Sequence, residues 1–424
     1  MKRTTSGSAS KGAPGSALAL GSEPATRPYP GAVLEVLAAF LKLGLSCFGG
    51  PIAHLGYFHN EFVERRRWLN AQAYADLVAL CQFLPGPASS QVGVSLGLMR
   101  AGYTGGLAAW AAFTLPSALM LVAVAYGAHS LSGAIGRGLL HGLQLAAVAI
   151  VAQAVWGMAR ALSPDGPRAA IALAALCLVV VGSSSGAQIG AIGIGAVAGA
   201  WVCRNGHAVS TGNLAVPVSR RVATVSLCAF FVLLAGLPVV RSLAHWPSLS
   251  LFDALYRSGA LVFGGGHVVL PLLREAVVVP GWVSGDSFLA GYGAAQAVPG
   301  PLFTFAAYLG AVVQVGPRGA VGAALGLIAI FLPGMLILLG TLPFWDSLRH
   351  RPGALAIMRG VNAAVVGILA AALYDPLWTS AVKTGADFAV ASIGFVTLTF
   401  WRKAPLLVVA TSAAWGMAIG ARMT

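Results

Sequence analysis

Residues 82–87 read Gln-Phe-Leu-Pro-Gly-Pro, and residues 296–301 read Gln-Ala-Val-Pro-Gly-Pro. Both phrases lie within apolar stretches, where proline removes backbone donors and glycine weakens a helix further. In a lipid bilayer, a freed backbone polar group must be covered by protein or face a wet cavity. Each phrase therefore predicts a point near membrane mid-depth where two half-helices end. Interrupted segments at matching places in two halves of a chain indicate the binding site of a transporter.

The composition independently indicates an integral membrane protein. Of the 424 residues, 58% are hydrophobic and only 9% are charged, whereas ordinary soluble domains carry roughly 25% charged residues. The formal net charge of +14 comes from Lys and Arg at the ends of apolar runs, as the positive-inside rule predicts, and not from one basic soluble face. We therefore expect the lipid bilayer as a partner and no nucleic acid.

Metal and cofactor chemistry is not expected from the sequence. The five cysteines lie in or beside apolar runs, and none is spaced as Cys-x-x-Cys. A cation site would need several carboxylates or a Cys/His cluster. We predict no metal, no cofactor and no disulfide framework.

The apolar segments divide into two halves behind a short tail. Residues 1–30 are rich in Ser, Gly, Ala and Pro and are predicted to form a disordered, basic, cytoplasmic tail. Residues 31–215 and 216–424 are assigned to an N-terminal and a C-terminal transporter repeat. The fold class is all-α, with about 10–13 hydrophobic segments. The predicted segments are 32–48, 73–84, 88–100, 105–127, 139–160, 168–182, 186–203, 221–240, 319–342, 354–373, 377–401 and 404–420.

The second half repeats the landmarks of the first. The Pro-Gly-Pro phrase recurs 214 positions later, and the Leu-Pro pair that follows it recurs at an offset of 217. The matched landmarks are Phe48-Gly49-Gly50-Pro51 with Phe263-Gly264-Gly265-Gly266-His267, Trp68 with Trp282, and Leu115-Pro116 with Leu332-Pro333. This order and spacing indicate an internal duplication.

The number of membrane crossings between the two copies predicts that they are inverted relative to each other. The count is seven if the Phe-Gly-Gly segment and the broken segment each cross the membrane, and five if both are re-entrant. Both counts are odd. The arginines at 160, 168, 204, 220, 221, 349, 351 and 402 fall on the side of the tail. The loop Arg65–Arg67 falls there only in the re-entrant version, which we favour.

The repeated elements suit an oxyanion. Helix N-termini carry about half a positive charge and bind anions without a charged side chain. Hydroxyl and amide groups beside the breaks, Gln91 among them, can donate further hydrogen bonds. The predicted substrate-binding residues are Gly49, Gly50, Gln82, Pro85, Gly86, Pro87, Ser89, Ser90, Gly264, Gly265, Gly266, Gln296, Pro299, Gly300, Pro301 and Thr304.

Three ionisable residues near these elements are candidates for ion coupling. They are His54, Asp76 and His267. The histidines can relay protons because histidine titrates near neutral pH. The alternative is structural: a hydrogen bond to a helix end for each histidine, and an ion pair near the interface for Asp76.

These motifs resemble the long-chain, two-domain type of the chromate ion transporter family. The resemblance extends over roughly residues 35–375 and is carried by residues 48–51, 61–68, 82–91, 263–267 and 291–305. It implies a secondary transporter, not an enzyme, that exports chromate across the bacterial inner membrane and confers chromate resistance. It also implies that sulfate competes, because the two anions share shape and charge. A homodimer is a further expected assembly.

Two other functions stay open. Import of sulfate or another oxyanion would use the same site, because the sequence does not set the direction of transport. A membrane-embedded enzyme acting on a phosphate-bearing lipid would need an acid–base cluster at a membrane face. The only charge-dense loop, residues 61–67, has no matching partner elsewhere in the sequence.

Overall fold

The computed structural model describes residues 32–48, 50–128, 133–182, 185–204, 217–244, 246–263, 266–345, 347 and 351–422. Within these ranges the chain forms helices and turns and no strand, which confirms the all-α prediction. The predicted tail and three predicted site residues, Gly49, Gly264 and Gly265, lie outside the described residues. The predicted repeat boundary at residue 215 lies outside them as well.

The first repeat contains seven helices. They are α1 (Ala32–Ser46), α2 (Gly50–His59, continued by a π-helical turn Asn60–Arg65), α3 (Ala71–Phe83), α4 (Ala88–Ala128), α5 (Ala134–Leu162), α6 (Gly166–Gly182) and α7 (Ser185–Val202). A long helix, α8 (Arg220–Ala244), follows. The exposed side chains of α8 include Val225, Phe231 and Val232, as expected for a helix that faces lipid.

The second repeat runs through the same series of helices. They are α9 (Pro247–Ala260), α10 (Val269–Val277, preceded by a 3-10 turn Gly266–Val268), α11 (Gly285–Ala297), α12 (Phe305–Val312, preceded by a 3-10 turn Leu302–Thr304), α13 (Gly319–Thr341), α14 (Pro352–Ala372, continued by a π-helical turn Leu373–Trp378 and by Thr379–Ala381), α15 (Gly385–Thr399) and α16 (Pro405–Arg422). The predicted two-repeat arrangement is confirmed, since α1–α7 match α9–α16 in order once α12 and α13 are paired with the two limbs of α4.

The predicted breaks occur at the same place in each repeat and have the same local cause. Asn70 caps α3 by accepting the Ala73 N–H, and Ser284 caps α11 by accepting the Ser287 N–H. Each helix runs 13 residues. It then stops at an extended residue, Leu84 or Val298, because the residue before a proline avoids the α-helical region.

Helix α4 is itself two limbs that fold against each other. Ala101 and Gly102 have non-helical backbone angles, so residues 88–100 and 103–128 form separate limbs. The limbs approach closely where Gly97 meets Gly105: a Cβ added to Gly97 would lie 2.3 Å from the Gly105 carbonyl oxygen. The predicted half-helix 88–100 and the predicted segment 105–127 therefore both exist.

The last helices of each repeat pack on the other repeat. Helices α15 and α16 pack against α5, while α6 and α7 pack against α14. Small residues permit the close approach, as at Gly138 against Gly416 and at Gly360 against Gly195 and Gly199. This exchange ties the two repeats into one bundle.

Among the described residues, five helical stretches are long and apolar enough to cross a membrane by length and composition. They are Ala88–Gly127, Ala134–Leu162, Arg220–Ala244, Gly319–Phe344 and Pro352–Ala381. Among the shorter apolar helices, α15 begins at Gly385 and not near residue 377 as predicted. Thr384 and Asp387 form a reciprocal capping box there, which fixes the start of the helix, while α14 continues as far as Ala381.

Candidate functional site

The two Pro-Gly-Pro turns are each held by the opposite repeat. The Gly86 N–H donates to the Val262 carbonyl, and the Gly300 N–H donates to the Cys47 carbonyl, both at 2.8 Å. Each acceptor lies just beyond the first helix of the opposite repeat, immediately before its Phe-Gly-Gly phrase. The structure thus brings the two kinds of repeated motif together in reciprocal pairs.

Each turn also lies against the proline-bearing point of the long helix in the opposite repeat. A Cβ at Gly86 would lie 2.9 Å from the Gly334 Cα, and a Cβ at Gly300 would lie 2.8 Å from the Ser117 Oγ. Gly334 follows Pro333 in α13, and Ser117 follows Pro116 in α4. The Leu-Pro pairs matched in the sequence therefore mark a contact surface between the repeats.

The two Phe-Gly-Gly phrases meet each other. A Cβ at Gly266 would lie 3.2 Å from the Pro51 Cγ, and a Cβ at Gly50 would lie 3.6 Å from the His267 Nε2. The predicted residues Gly50 and Gly266 are therefore neighbours across the two repeats. We name this region, where Gly50, Gly86, Gly266 and Gly300 contact the opposite repeat, the crossing.

Buried polar atoms without a hydrogen-bond partner occur on the helices that meet at the crossing. Within the described part of the chain they include His54 Nε2, Ser90 Oγ, Trp110 Nε1, Thr114 Oγ1 and Gln296 Nε2. A buried donor that lacks a partner costs about 1–3 kcal/mol, so such groups call for an explanation. All five can donate a hydrogen bond, and an oxyanion is the ligand that accepts several donors at once.

The two histidines of the predicted coupling set sit beside the half-helices. His54 is 1% exposed; its Nδ1 lies 3.4 Å from the Ser89 Oγ, and its ring packs edge-on against Phe113. His267 Nδ1 lies 2.8 Å from the Tyr292 hydroxyl. Asp76, the third member of the set, is buried in α3 with 1% exposure.

Four of the predicted polar ligands lie in different surroundings. Ser89 and Ser90 are buried in the first turn of the first limb of α4. The Thr304 hydroxyl donates to the Pro301 carbonyl at 2.7 Å, so its proton is already used within its own turn. Gln82 is exposed on α3 and lies on the outside of the helix in the state described.

Gln91 has a role that the sequence did not reveal. Its amide Nε2 donates to the Pro85 carbonyl and to the Gly334 carbonyl, both at 2.9 Å. One side chain thus satisfies a carbonyl freed by the first Pro-Gly-Pro break and binds the break to α13. Trp110, Thr114 and Ser117 were also missed, because only the Leu-Pro pair near them carries a repeat signal.

A cluster of ion pairs lies at the end of the first repeat that is distant from the crossing. Glu35 pairs with Arg66 at 3.2 Å and with Arg100 at 2.9 Å, and Arg66 also pairs with Glu61 at 2.6 Å. Both guanidinium groups lie over the Trp68 ring, at 5.7 and 5.4 Å from its centre. The start of α1, the end of the α2 extension and the end of the first limb of α4 therefore lie together.

The family model described as "Chromate transporter" matches residues 34–201 and 249–417, one segment for each repeat. The chain belongs to the chromate transporter family. The α8 helix falls between the two matched segments of this family. Membership also supports the predicted multi-pass membrane protein.

Curated members of the chromate transporter family match over most of their length. The chain is 28% identical over 412 residues to the chromate transport protein of Pseudomonas aeruginosa, covering 91% of this chain and 92% of that one. It is 27% identical to the chromate transport protein of Cupriavidus metallidurans, covering 87% and 88%. It is 28% identical to the probable chromate transport protein of Synechococcus elongatus, covering 79% and 82%. No solved structure matches the chain.

Proposed function

We propose that the protein is a secondary transporter that exports chromate across the bacterial inner membrane and so confers chromate resistance. The observation that carries the proposal is the crossing, where two glycine turns are clamped by opposite repeats and unpartnered donors are buried nearby. Relatives that cover most of the chain are named chromate transport proteins, which favours a transporter over a lipid-modifying enzyme.

The half-helix hairpins support a re-entrant arrangement. Glu35, near the start of α1, lies 3.2 Å from Arg66, just after the α2 extension. If α1 and α2 together crossed the bilayer, these two residues would be separated by its hydrocarbon core of about 30 Å. This contact favours a pair α1–α2 that enters and leaves on one side. Helix α8, a single helix between the two repeats, would then invert the second repeat relative to the first.

The substrate would be held by donors and not by cationic side chains. The half-helices α2 and α4 begin at Gly50 and Ala88, directly at the repeated breaks, and their first N–H groups are not used within the helix. The hydroxyls of Ser90 and Thr114 and the ring N–H of Trp110 would add side-chain donors to a tetrahedral dianion. Neutral donors bind the dianion less tightly than arginines would, which suits release.

Movement is required because Pro85, Gly86 and Pro87 are buried in the state described. Rocking of the inverted repeats against each other, about the crossing, would open the site to each face in turn. An inside-negative potential favours anion export by about 2.3 kcal/mol per charge per 100 mV. Voltage alone can therefore drive part of the export of a dianion.

Everted membrane vesicles that contain the full chain test this function. We expect energised vesicles to accumulate chromate and excess sulfate to reduce the initial rate. Vesicles without the protein are the control. Accumulation of sulfate but not chromate would favour the alternative oxyanion function, and absence of both would refute the transporter reading.

A further inference from the structure

A residue of helix α5 forms a titratable pair with a residue of helix α15, outside the proposed substrate site. His141 Nε2 lies 2.7 Å from Asp387 Oδ1 of α15, so the pair joins the first repeat to the second. The Asp387 side chain is 4% exposed and the His141 side chain is 29% exposed. The second carboxylate oxygen accepts the N–H groups of Lys383 and Thr384 at 3.1 and 2.9 Å.

This hydrogen-bond pattern fixes where a proton can bind. An ionised carboxylate only accepts hydrogen bonds, so Nε2 of neutral His141 is the donor in this pair. An arriving proton therefore binds the other ring nitrogen, Nδ1, and Asp387 supplies the counter-charge. Histidine is the side chain that ordinarily changes charge between pH 5 and 8. The other titratable groups on α5 and on the elements packed against it include Arg137, Asp286, Tyr292, Arg359, Tyr374, Asp375 and Lys383.

The same face of α5 contacts a helix that ends at the crossing. Gln144, almost one turn after His141, has its Nε2 3.4 Å from Asp286 Oδ1 at the start of α11. Gly293 of α11 lies on the α5 backbone, since a Cβ there would be 2.6 Å from the Leu143 carbonyl oxygen. Helix α11 then runs to the second Pro-Gly-Pro turn. Helix α11 is thus the single helix that connects the neighbourhood of His141 to the second Pro-Gly-Pro turn of the substrate site.

An apolar cavity between these helices provides room for α11 to move relative to α5. It has a volume of about 500 Å³ and is lined by residues of α5, α11 and the second limb of α4, including Leu143, Ala294 and Val298. By contrast, α16 packs on α5 without space, at Gly138 and Gly142. Helix α11 therefore contacts α5 closely at Gly293 but leaves open space beside Ala294 and Val298, whereas α16 contacts α5 without such space.

Within the described residues, the contact between α14 and α6, which corresponds to the contact between α5 and α15, has arginines in place of this pair. At the corresponding place in α14, Arg359 stands where His141 stands in α5, and it donates to the Cys203 carbonyl at 3.1 Å. At the place in α6 that corresponds to Asp387, the residue is Arg168. The contact between α14 and α6 thus has permanent charge where the contact between α5 and α15 has a titratable group, so proton binding acts on one side of the bundle.

We propose that the His141–Asp387 pair binds the proton that is exchanged for the oxyanion. The proton arrives from water on the face opposite Arg160, which lies at the far end of α5. It binds Nδ1, and it leaves to water on the Arg160 face when movement of α11 against α5 opens a path there. One proton moves per dianion, and no bond other than that to the proton is formed or broken. The proposal rests on the transport function proposed above.

Purified full-length protein in proteoliposomes tests the site. With the membrane potential held at zero, a pH gradient of one unit should change chromate accumulation about tenfold for each coupled proton. We expect His141→Gln and Asp387→Asn to abolish gradient-driven accumulation while potential-driven uptake continues. The control is His59→Gln, because His59 is 39% exposed and pairs with Glu64 away from α5.

Two outcomes would overturn the proposal. One is gradient-driven accumulation by His141→Gln equal to that of the unmodified protein. The other is a pH-dependent rate without proton movement, read by a pH-sensitive dye inside the same vesicles.

A second measurement does not depend on transport. The unfolding temperature of the protein in detergent is measured from pH 5 to 8. We expect its dependence on pH to be smaller in His141→Gln than in the unmodified protein, and to be unchanged in His59→Gln. If the unmodified protein moves no oxyanion but this difference exists, the transport function fails and proton binding stands. If the two profiles coincide, His141 is not the proton site.

Discussion

Gly86 and Gly300 hold the two turns in a backbone conformation that L side chains rarely adopt, with φ of +118° and +101°. Both glycines also touch the opposite repeat, where a Cβ has no room. Either feature alone would select glycine. Together they leave little tolerance for any other residue at these two positions.

Substitution of either turn glycine should impair transport more than stability of the bundle. Gly86→Ala places a Cβ 2.9 Å from the Gly334 Cα and adds backbone strain of about 1–3 kcal/mol. We expect chromate transport to fall at least tenfold while the protein still inserts. Gly56→Ala is the matched control, because nothing lies within 4 Å of a Cβ there. Near-normal transport by Gly86→Ala would mean that the turn has no functional constraint.

Removal of the Ser90 hydroxyl separates a binding role from a structural one. Ser90 Oγ is buried without a partner, so Ser90→Ala should leave the free energy of unfolding unchanged or raise it. A hydrogen bond to a charged group contributes about 1.5–3 kcal/mol, so the half-saturating chromate concentration should rise roughly 10–100-fold. Ser95→Ala, whose hydroxyl donates to the Gln91 carbonyl on the same helix, is the control. Loss of stability without weaker chromate binding would contradict a ligand role for Ser90.

Half-helix hairpins are the elements from which this site is built. The pair α3 and the first limb of α4, and the pair α11 and α12, each place a Pro-Gly-Pro turn between two short helices. Helices α3 and α11, of 13 residues each, suffice for half a bilayer at about 1.5 Å of rise per residue. The charged cluster around Glu35 anchors the ends of the hairpins of the first repeat, and the second repeat has no counterpart of Glu35 at the equivalent Leu249.

Labelling from each side of the membrane tests whether these hairpins are re-entrant and inverted. In a variant without the five native cysteines, cysteine at Arg67 and cysteine at Gln314 should react with a membrane-impermeant thiol reagent from opposite sides. Both positions are exposed, and they lie at the outer ends of hairpins in different repeats. Chromate transport by each variant shows that it is folded. Labelling of both positions from one side would refute the inverted, re-entrant arrangement.

At the scale of the whole molecule, the exchange of terminal helices makes the two repeats interdependent. Helices α15 and α16 rest on α5, and α6 and α7 rest on α14, so neither repeat is complete without the other. If the repeats rock as proposed, the movement would occur at the crossing and along α11, where close backbone contacts alternate with an open cavity.

Transport of a dianion through this molecule should depend on voltage. A potential of 100 mV contributes about 4.6 kcal/mol for the two charges of the dianion, because each charge contributes about 2.3 kcal/mol, and a proton exchanged for the dianion adds a third charge. We expect collapse of the potential in everted vesicles, with the pH gradient kept, to reduce chromate accumulation strongly. Unchanged accumulation would show that the transport cycle moves no net charge across the membrane. This would be the case if each exported dianion were exchanged for two imported negative charges.

Local chemistry made much of the fold predictable from the sequence. The Pro-Gly-Pro phrases end helices because proline lacks an N–H and restricts the preceding residue, and this holds wherever the phrase is placed. Most of the predicted segments agree with the helices within a few residues. The start of α15 was wrong because the capping box at Thr384 is a side-chain effect that hydropathy does not register.

The sequence by itself determined that there are two copies of a broken hairpin, because apolar periodicity, helix breakers and caps act over a few residues. Only the tertiary structure decided that each turn is clasped by the opposite copy, that Gln82 faces outward while Gln91 binds Gly334, and that His141 meets Asp387. These contacts join residues up to 246 positions apart. They depend on how whole helices pack, which is a property of the assembled bundle and not of any local stretch of chain.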